Sequence, residues 1–481
     1  MALYLQRAFS LLVVKAALTN RAGRPAVRLE FVVNEDGQQR VTAQRTDDLD
    51  RYGFGGSESS EPKDLDLHVP ENVVFWIAAL FQDMVRQREM IREEIQFEQA
   101  RGMDWPDAQD ERDVLWLHLV KPYGALGAVP WERFVQPEVG VPFLRLPDAL
   151  PEPQRSISRF RVALCAAASS ERELRSSRPS VSMVARALFD GVGTMLRLHV
   201  FAEQEDEAEM RAVLQDLPKS VLTIHPPPPP SEAEQKPHSA GNPWLLWIQR
   251  EMAGRGLDAV HLIAHGCALG NEGGILTGSR PGMSGSQFPQ VAQSRELRDF
   301  LTQTGALIVG FTRPDGNYSD YGLWRLVDEL GSLRAGPVLL HDPRDLLHDL
   351  GDEERADDLA QSYKFLSATA PAHPPASPNL VLFAQPGQIA DLDLSQTPEK
   401  VVAPLLPPSP AVKELFARGE TPGWLSAAQR FIEQSEAELI RFKQSREQRD
   451  PSHSEAAFYE GKQAALEKIR EVVDRHAEDQ L

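Results

Sequence analysis

Short apolar runs bounded by turn residues recur along the middle of the chain, and they constrain its fold more than any other feature. Four of them lie at 115–120, 161–167, 259–264 and 306–311. Each run is too short for a typical buried helix and is rich in Val, Ile, Leu and Ala, so each predicts a β-strand. The runs at 259–264 and 306–311 predict strands that are buried on both faces.

Helical patterns alternate with these runs. The stretches that predict helices are 182–189, 206–216, 244–252, 293–303 and 321–333, and further short strands are predicted at 196–202, 220–224, 337–340 and 379–383. Strands that alternate with helices usually pair in parallel, with helices on both faces of the sheet. The predicted fold class is therefore α/β, with a mostly parallel sheet flanked by helices.

The two ends of the chain carry other patterns. Residues 3–46 predict a small antiparallel β meander, and 71–100 predict a long helix. Residues 411–481 contain two amphipathic stretches that predict a helical hairpin. The predicted units are an N-terminal meander with a long helix (1–110), an α/β domain (111–395), and a proline-rich linker with C-terminal amphipathic helices (396–481).

Net charge and cysteine count exclude several classes of protein. The 51 Lys and Arg residues against 70 Asp and Glu residues give 51 − 70 = −19, so we expect no nucleic-acid partner. Two cysteines can form neither a disulfide scaffold nor a cysteine-rich zinc site, and we expect no metal and no cofactor. No apolar stretch approaches the ~20 residues that span a bilayer, and residues 1–20 lack a signal-peptide pattern. We therefore expect a cytoplasmic protein without a membrane partner.

The leading candidate for a catalytic residue is His265, which directly follows the apolar run at 259–264. Open α/β sheets place ligands and catalytic groups at the carboxyl ends of their parallel strands, where His265 would lie. Gly266 would allow a sharp turn and leave its N–H available to an oxyanion. This pattern predicts a general base, and the alternative is a buried or turn histidine with no catalytic role.

A histidine base needs a nucleophile at the end of the neighbouring strand, which we predict to be the last of the four apolar runs. Thr312 is the hydroxyl residue at that strand end, 47 residues after His265, with Ser319 further along the loop. Threonine nucleophiles mostly use an N-terminal amine as their base, which makes an internal threonine a weak candidate. Cys267 shares a turn with His265 and Cys165 belongs to another strand, so neither cysteine is expected to be catalytic.

Two polar stretches follow strands of the predicted domain. The first contains Asp315, Asn317, Tyr318, Ser319 and Asp320, and it is a candidate binding loop because it follows the carboxyl end of a strand. The alternative for these residues is an ordinary solvated connection. The second stretch contains His341 and His348 among aspartates, and we interpret it as a polar loop rather than a metal site.

The order of elements and several short motifs resemble the CHAT family of caspase-like peptidases. Pro130-Trp131-Glu132 and Leu144-Arg145-Leu146-Pro147 stand where that family has a Pro-Trp-Glu and a Leu-Arg-Leu-Pro-like strand. The segments that resemble the family are 115–147, 260–266 with its His-Gly, 306–316 and 379–387. The resemblance extends over about residues 112–390 and implies a caspase-like fold.

The resemblance also implies a cysteine nucleophile, but Phe311, Thr312 and Arg313 occupy the strand end where it would lie. It therefore predicts a pseudo-protease that acts by binding other proteins, as a regulatory component of a bacterial defence or signalling system with co-encoded partners. The vestigial catalytic positions are His265 and Thr312, and the binding positions are Gly266, Asp315, Asn317, Ser319 and Asp320. One alternative is an active peptidase that uses His265 with a non-standard nucleophile, and another is a scaffold without a functional pocket.

Overall fold

The structure is a computed structural model. It describes residues 11–35, 38–54, 67–100, 113–121, 123–147, 159–167, 171–202, 210–212, 214–228, 241–252, 255–269, 272–281, 289–314, 321–334, 336–342, 352–385 and 388–389, with parts of a helix between 463 and 475. The predicted binding loop at 315–320 and the first of the predicted C-terminal helices lie outside the described residues.

A sheet of twelve strands forms the centre of the molecule. Its strands are β1 (Leu11–Arg21), β2 (Arg24–Glu35), β3 (Gln38–Asp48), β4 (Leu115–Val120), β5 (Phe143–Arg145), β6 (Phe160–Ala166), β7 (Leu196–Phe201), β8 (Leu222–His225), β9 (Ala259–Ile263), β13 (Ile308–Thr312), β14 (Val338–His341) and β15 (Leu380–Phe383). Their order is β3-β2-β1-β4-β5-β15-β14-β13-β9-β6-β7-β8. Neighbours pair in parallel except for β1–β2, β2–β3 and β14–β15, which confirms the predicted mostly parallel α/β sheet.

Seven α-helices of the described chain pack around this sheet. They are α1 (Glu71–Ala100), α2 (Trp131–Val139), α3 (Glu171–Val192), α4 (Pro243–Glu251), α5 (Ser294–Thr304), α6 (Tyr321–Leu333) and α7 (Asp352–Leu366). Helices α3 and α7 contribute to one hydrophobic core, α4, α5 and α6 to a second, and α1 and α2 to a third. None of the helices described is both long and apolar enough to cross a bilayer.

The side-chain alternation of β9 shows how the central strands separate two cores. Val260 and Leu262 point into the core of α4, α5 and α6, whereas Ala259 and Ile263 point into the core of α3 and α7. All five residues of the strand are buried, as its apolar run predicted. His261 lies between Ala259 and Ile263 on the face of α3 and α7, because successive side chains of a strand point to opposite faces.

The N-terminal strands extend the same sheet. The predicted meander consists of β1, β2 and β3, and β1 pairs in parallel with β4 of the α/β region. Helix α1 has the predicted bounds, and its Val73, Ile77 and Phe81 pack in the third core with the apolar residues of β1 and β2. This core therefore joins the N-terminal strands to the start of the α/β region.

A second, smaller sheet follows β9 and was not predicted from the sequence. It consists of the antiparallel strands β10 (Gly266–Leu269), β11 (Glu272–Thr277) and β12 (Gln290–Gln293). The strands are short, and β11 contains the glycine pair Gly273-Gly274, which weakens any strand signal in the sequence. The first of the three strands begins directly after His265 and so fixes the direction of the chain there.

Candidate functional site

The strands that end near His265 and Thr312 are neighbours in the sheet, as predicted. Strands β9 and β13 pair in parallel with Ile263 opposite Thr312, and the Ala264 N–H donates to the Thr312 carbonyl at 3.3 Å. Both histidine and threonine therefore lie at the carboxyl edge of the sheet. His265 is buried, and its carbonyl accepts a hydrogen bond from the Leu276 N–H of β11 at 2.8 Å.

The Thr312 hydroxyl is held by two histidines that the sequence analysis did not connect with it. Its Oγ1 lies 2.8 Å from Nε2 of His261 on β9 and 3.3 Å from Nδ1 of His341 at the end of β14. The other ring nitrogen of His261, Nδ1, lies 2.6 Å from the hydroxyl of Tyr363 on α7. Tyr363, His261, Thr312 and His341 thus form a continuous chain, which we call the buried polar chain.

Gly310 makes room for this chain on the central strand. A Cβ at Gly310 would overlap both Nδ1 of His261 and the hydroxyl of Tyr363. All four members of the chain have 0% relative exposure, so a peptide in solution cannot reach the Thr312 hydroxyl in this arrangement. A nucleophile must approach its substrate to about 3 Å, and the burial of Thr312 does not allow that.

Burial sets the protonation of the chain. It lowers the pKa of His261 to about 3, with a smaller contribution from the nearby His341, and it raises the pKa of the Tyr363 hydroxyl. Both groups are therefore neutral near pH 7. Because the Tyr363 hydroxyl donates its proton to Nδ1 of His261, the neutral His261 ring carries its own proton on Nε2 and donates it to Thr312, which donates in turn to Nδ1 of His341.

Gly266, predicted to offer its N–H to an oxyanion, is a close-packing residue in the structure. A Cβ at this position would overlap the backbone nitrogen of Leu323 on α6. One residue earlier on that helix, Gly322 lies equally close to the backbone of Cys267, where a Cβ would overlap its carbonyl. The β10–β11 hairpin therefore packs directly against the backbone of the first turn of α6, with one glycine on each side of the contact.

Replacing Gly266 by alanine should lower the free energy of unfolding by about 2 kcal/mol, since the overlapping atoms belong to the backbone of α6 and cannot rotate away. Urea unfolding measures the change. Ala268→Ser, at a half-buried position of the same strand, is the matched control and should change the stability by less than about 0.5 kcal/mol. Equal stability of Gly266→Ala and wild type would contradict the close packing.

Neither cysteine is placed or tuned as a nucleophile. Cys165 is fully buried on β6 and packs in the core of α4, α5 and α6. Cys267 is half-buried on β10, and burial raises the pKa of its thiol to about 11. Because the thiolate is the reactive form, a thiol that stays protonated at neutral pH is a poor nucleophile.

The motif residues Glu132 and Arg145 form a buried ion pair. Arg145 Nε donates to Glu132 at 2.6 Å and Nη2 donates to the other carboxylate oxygen at 3.0 Å. Two more guanidinium protons go to the carbonyls of Gly127 at 2.7 Å and Val129 at 3.0 Å. Arg145 is 1% exposed, so the pair holds α2 and β5 together from inside the protein.

Asp328 of α6 is the second carboxylate beside Arg145, at 3.8 Å from Nη1. Burial raises the pKa of Asp328 to about 6, against the opposing effect of Arg145 and Arg325. Gly127 allows this approach, because a Cβ there would overlap the carboxylate. The cavity beside these groups measures about 10 Å³, which is too small for a peptide side chain.

Arg313, which follows Thr312, points to the opposite face of the sheet and helps to anchor two helices. Its Nη1 lies 3.8 Å from Asp342 Oδ2, and the same oxygen accepts from Arg133 of α2 at 2.6 Å. The Arg133 guanidinium lies over the Trp324 ring of α6 at 5.5 Å. His341 is the last residue of β14, so the strand extends one residue beyond its predicted end, and both His341 and the following Asp342 are buried.

The structure brings three of the predicted site residues together, and the others lie outside the residues that it describes. His265, Gly266 and Thr312 share one edge of the sheet, and Asp315, Asn317, Ser319 and Asp320 lie outside the described residues. The residues that sequence reasoning missed are His261, His341 and Tyr363. The one available signal was a histidine inside an otherwise apolar run, because a buried polar group needs a partner.

Comparisons with known proteins add no family assignment. In the described part of the chain, no three His, Cys, Asp or Glu side chains are grouped to hold a metal ion. No protein-family model matches the sequence, and a search of curated proteins finds no match either.

Proposed function

We propose that this protein is a CHAT-type, caspase-like pseudo-protease that acts by binding other proteins, as a regulatory component of a bacterial defence or signalling system. One observation carries the proposal: the hydroxyl at the position of the family's nucleophile is fully buried and bonded to two histidines other than His265. The family resemblance and the bacterial setting rest on the sequence motifs.

The charges around the strand ends support the same conclusion. Proton transfer from a nucleophile requires a base that can accept the proton, and the proton count assigns His261 as a donor toward Thr312. The pKa of His261, lowered to about 3 by burial, also makes the ring a weak base. The buried polar chain therefore fits a structural role better than a catalytic one.

Exposed apolar side chains on α1 support a protein-binding role. Phe75, Met90 and Phe97 are each more than half exposed, although such residues are normally buried. Met90 and Phe97 are seven residues apart, so they lie on one face of the helix. An exposed apolar helix face is typical of a surface that contacts another protein.

The first test is for proteolysis. Purified wild type and His265→Ala are each incubated with an unfolded protein pool and with the proteins encoded beside its gene, and products are read by mass spectrometry. We expect no specific cleavage by either protein. Cleavage by wild type that disappears in His265→Ala would replace the pseudo-protease by the alternative, an active peptidase with a non-standard nucleophile.

The second test is for binding. The same co-encoded proteins are measured against wild type, Met90→Asp/Phe97→Asp and the matched control Met195→Asp, which is 40% exposed in a turn between α3 and β7. We expect a partner that the α1 variant binds at least about tenfold more weakly, since two buried apolar contacts are worth at least 1.4 kcal/mol. Absence of any partner would support a scaffold without a binding function.

A further inference from the structure

The buried polar chain joins one helix to three strands. Tyr363 lies on α7, and its three partners lie on the adjacent strands β9, β13 and β14. Helix α7 follows β14 and precedes β15 along the sequence. Movement of α7 away from the sheet would therefore leave the order of the central strands intact.

Both ring nitrogens of His261 are satisfied when the ring is neutral. A proton added to Nδ1 of His261 would face the Tyr363 hydroxyl, which would have to accept and could no longer donate to the ring. With 0% exposure at all four positions, water does not replace a lost partner while the helix stays packed.

The surroundings offer little compensation for a positive charge. The groups that face the His261 ring are Tyr363 from α7, Thr312 from β13 and His341 from β14. His341 lowers the pKa of His261 further. Helix α3 and strand β15 contribute apolar residues: Val181, Val184, Leu188, Leu380 and Leu382. The next charged residues along the strands, Arg313 and Asp342, contact each other on the opposite face, and Asp358 of α7 accepts from Ser377 at 2.5 Å.

We propose that the buried polar chain is an acid-sensitive latch: protonation of His261 releases α7 from β9, β13 and β14 while the N-terminal strands stay folded. The latch exposes the carboxyl edge of the sheet, where His265 lies. It rests on the packing of these four residues and stands whether or not the protein binds partners through α1.

Hydrogen exchange followed by mass spectrometry tests the latch in the full-length protein at pH 7.5 and pH 5.0, with rates corrected for intrinsic exchange. A buried histidine whose pKa is lowered from 6.5 to about 3 gives an opening that is about 30-fold more populated at pH 5.0 than at pH 7.5. We therefore expect the protection of α7 amides to fall about 30-fold, and that of β1 and β2 amides to fall less than about threefold.

One variant removes the titration of His261, and a second changes the other partner of Thr312. His261→Gln/Tyr363→Phe keeps a donor at the position of Nε2 and removes the hydroxyl that would lose its acceptor, and His341→Asn keeps an acceptor at the position of Nδ1. His261→Gln/Tyr363→Phe should reduce the acid-induced fall in α7 to about fivefold or less, whereas His341→Asn, which retains His261, should keep most of the fall. His118→Asn, at a half-buried position of β4, is the control and should behave as wild type.

The outcomes separate clearly. A wild-type α7 that keeps its protection at pH 5.0 overturns the latch, as does a fall in His261→Gln/Tyr363→Phe as large as that of wild type. A fall that is the same in α7 and in β1–β2 also overturns it, because the acid effect would then be global. If His261→Gln/Tyr363→Phe does not fold, the comparison of α7 with β1–β2 in wild type decides.

Discussion

Replacing Arg145 by methionine should lower the free energy of unfolding by about 4 kcal/mol, which is the typical effect of removing one partner of a buried ion pair. The guanidinium makes four hydrogen bonds, two to Glu132 and one each to Gly127 and Val129. Methionine has a similar volume but satisfies none of them. Glu132 and Asp328 would then be two buried carboxylates without their central cation.

Urea unfolding, followed by circular dichroism, measures this effect. The control is Arg28→Met, because Arg28 forms an ion pair with Glu30 in which the two side chains are 45% and 22% exposed. Exposed pairs contribute about 0–1 kcal/mol, so the control should remain close to wild type. Glu132→Leu/Arg145→Met should recover part of the loss, since the carboxylate of Glu132 is then removed together with its cation and Asp328 keeps Arg325 at 3.8 Å. A single Arg145→Met that is as stable as the control would show that the pair does not hold α2 and β5.

The ion pair also shows why the sequence motifs were informative without revealing their role. Glu132 and Arg145 stood out through a family resemblance, which does not show what their side chains contact. The structure shows that they bond to each other inside the protein, with Asp328 supplied by a helix almost two hundred residues later. Local pattern places such residues on elements, but only tertiary packing determines their partners.

The sequence predicted the central strands but not the residues of the site, and the reason is the same. The runs of Val, Ile and Leu predicted β9 and β13 because burial on both faces leaves a continuous apolar signal. That signal also concealed His261, whose partners Tyr363 and Thr312 are 102 and 51 residues away in the sequence. Helix α7 was not predicted because its first turns are rich in Asp and Glu and its apolar residues are few.

The close packing of glycines was equally hidden from the sequence. Gly266 was interpreted as a donor to an oxyanion, because it follows a histidine at the end of a strand. The structure gives it a steric reason: the hairpin that begins there lies against Gly322 and Leu323 of α6. Nothing in the residues near position 266 indicates a helix that begins more than fifty positions later.

Acidification from pH 7 to pH 5 should lower the stability of the wild type through two groups of buried histidines. The first is the buried polar chain. The second is on the edge strands, where His199 Nδ1 lies 3.0 Å from His225 Nε2, whose Nδ1 in turn lies 3.3 Å from Glu251. Burial, with a contribution from His225, lowers the pKa of His199 to about 4, and burial lowers the pKa of His261 to about 3.

A histidine with a lowered folded-state pKa takes up its proton in the unfolded chain first. Its stabilising effect is therefore complete above about pH 6.5 and is lost as the pH falls toward the folded value. Between pH 7 and pH 5 each of the two histidines should lower the free energy of unfolding by about 2 kcal/mol. Asp328 acts in the opposite direction, because burial raises its pKa to about 6, and it should raise the free energy of unfolding by about 1 kcal/mol over the same range. The expected net loss from these groups is about 3 kcal/mol.

Urea unfolding at pH 7, 6 and 5 measures this loss, and His199→Asn identifies the share of the edge-strand pair. Asparagine places a non-titrating donor where Nδ1 of His199 bonds to His225, so the variant should lose about 2 kcal/mol less than wild type between pH 7 and pH 5. Combining it with His261→Gln/Tyr363→Phe separates the two groups, because their effects on stability should add for sites without shared partners. His118→Asn again serves as the control. A wild type whose stability is constant between pH 7 and pH 5 would contradict the burial of both histidine groups. Solvent-exposed rings would titrate alike in the folded and the unfolded chain and would leave the stability unchanged.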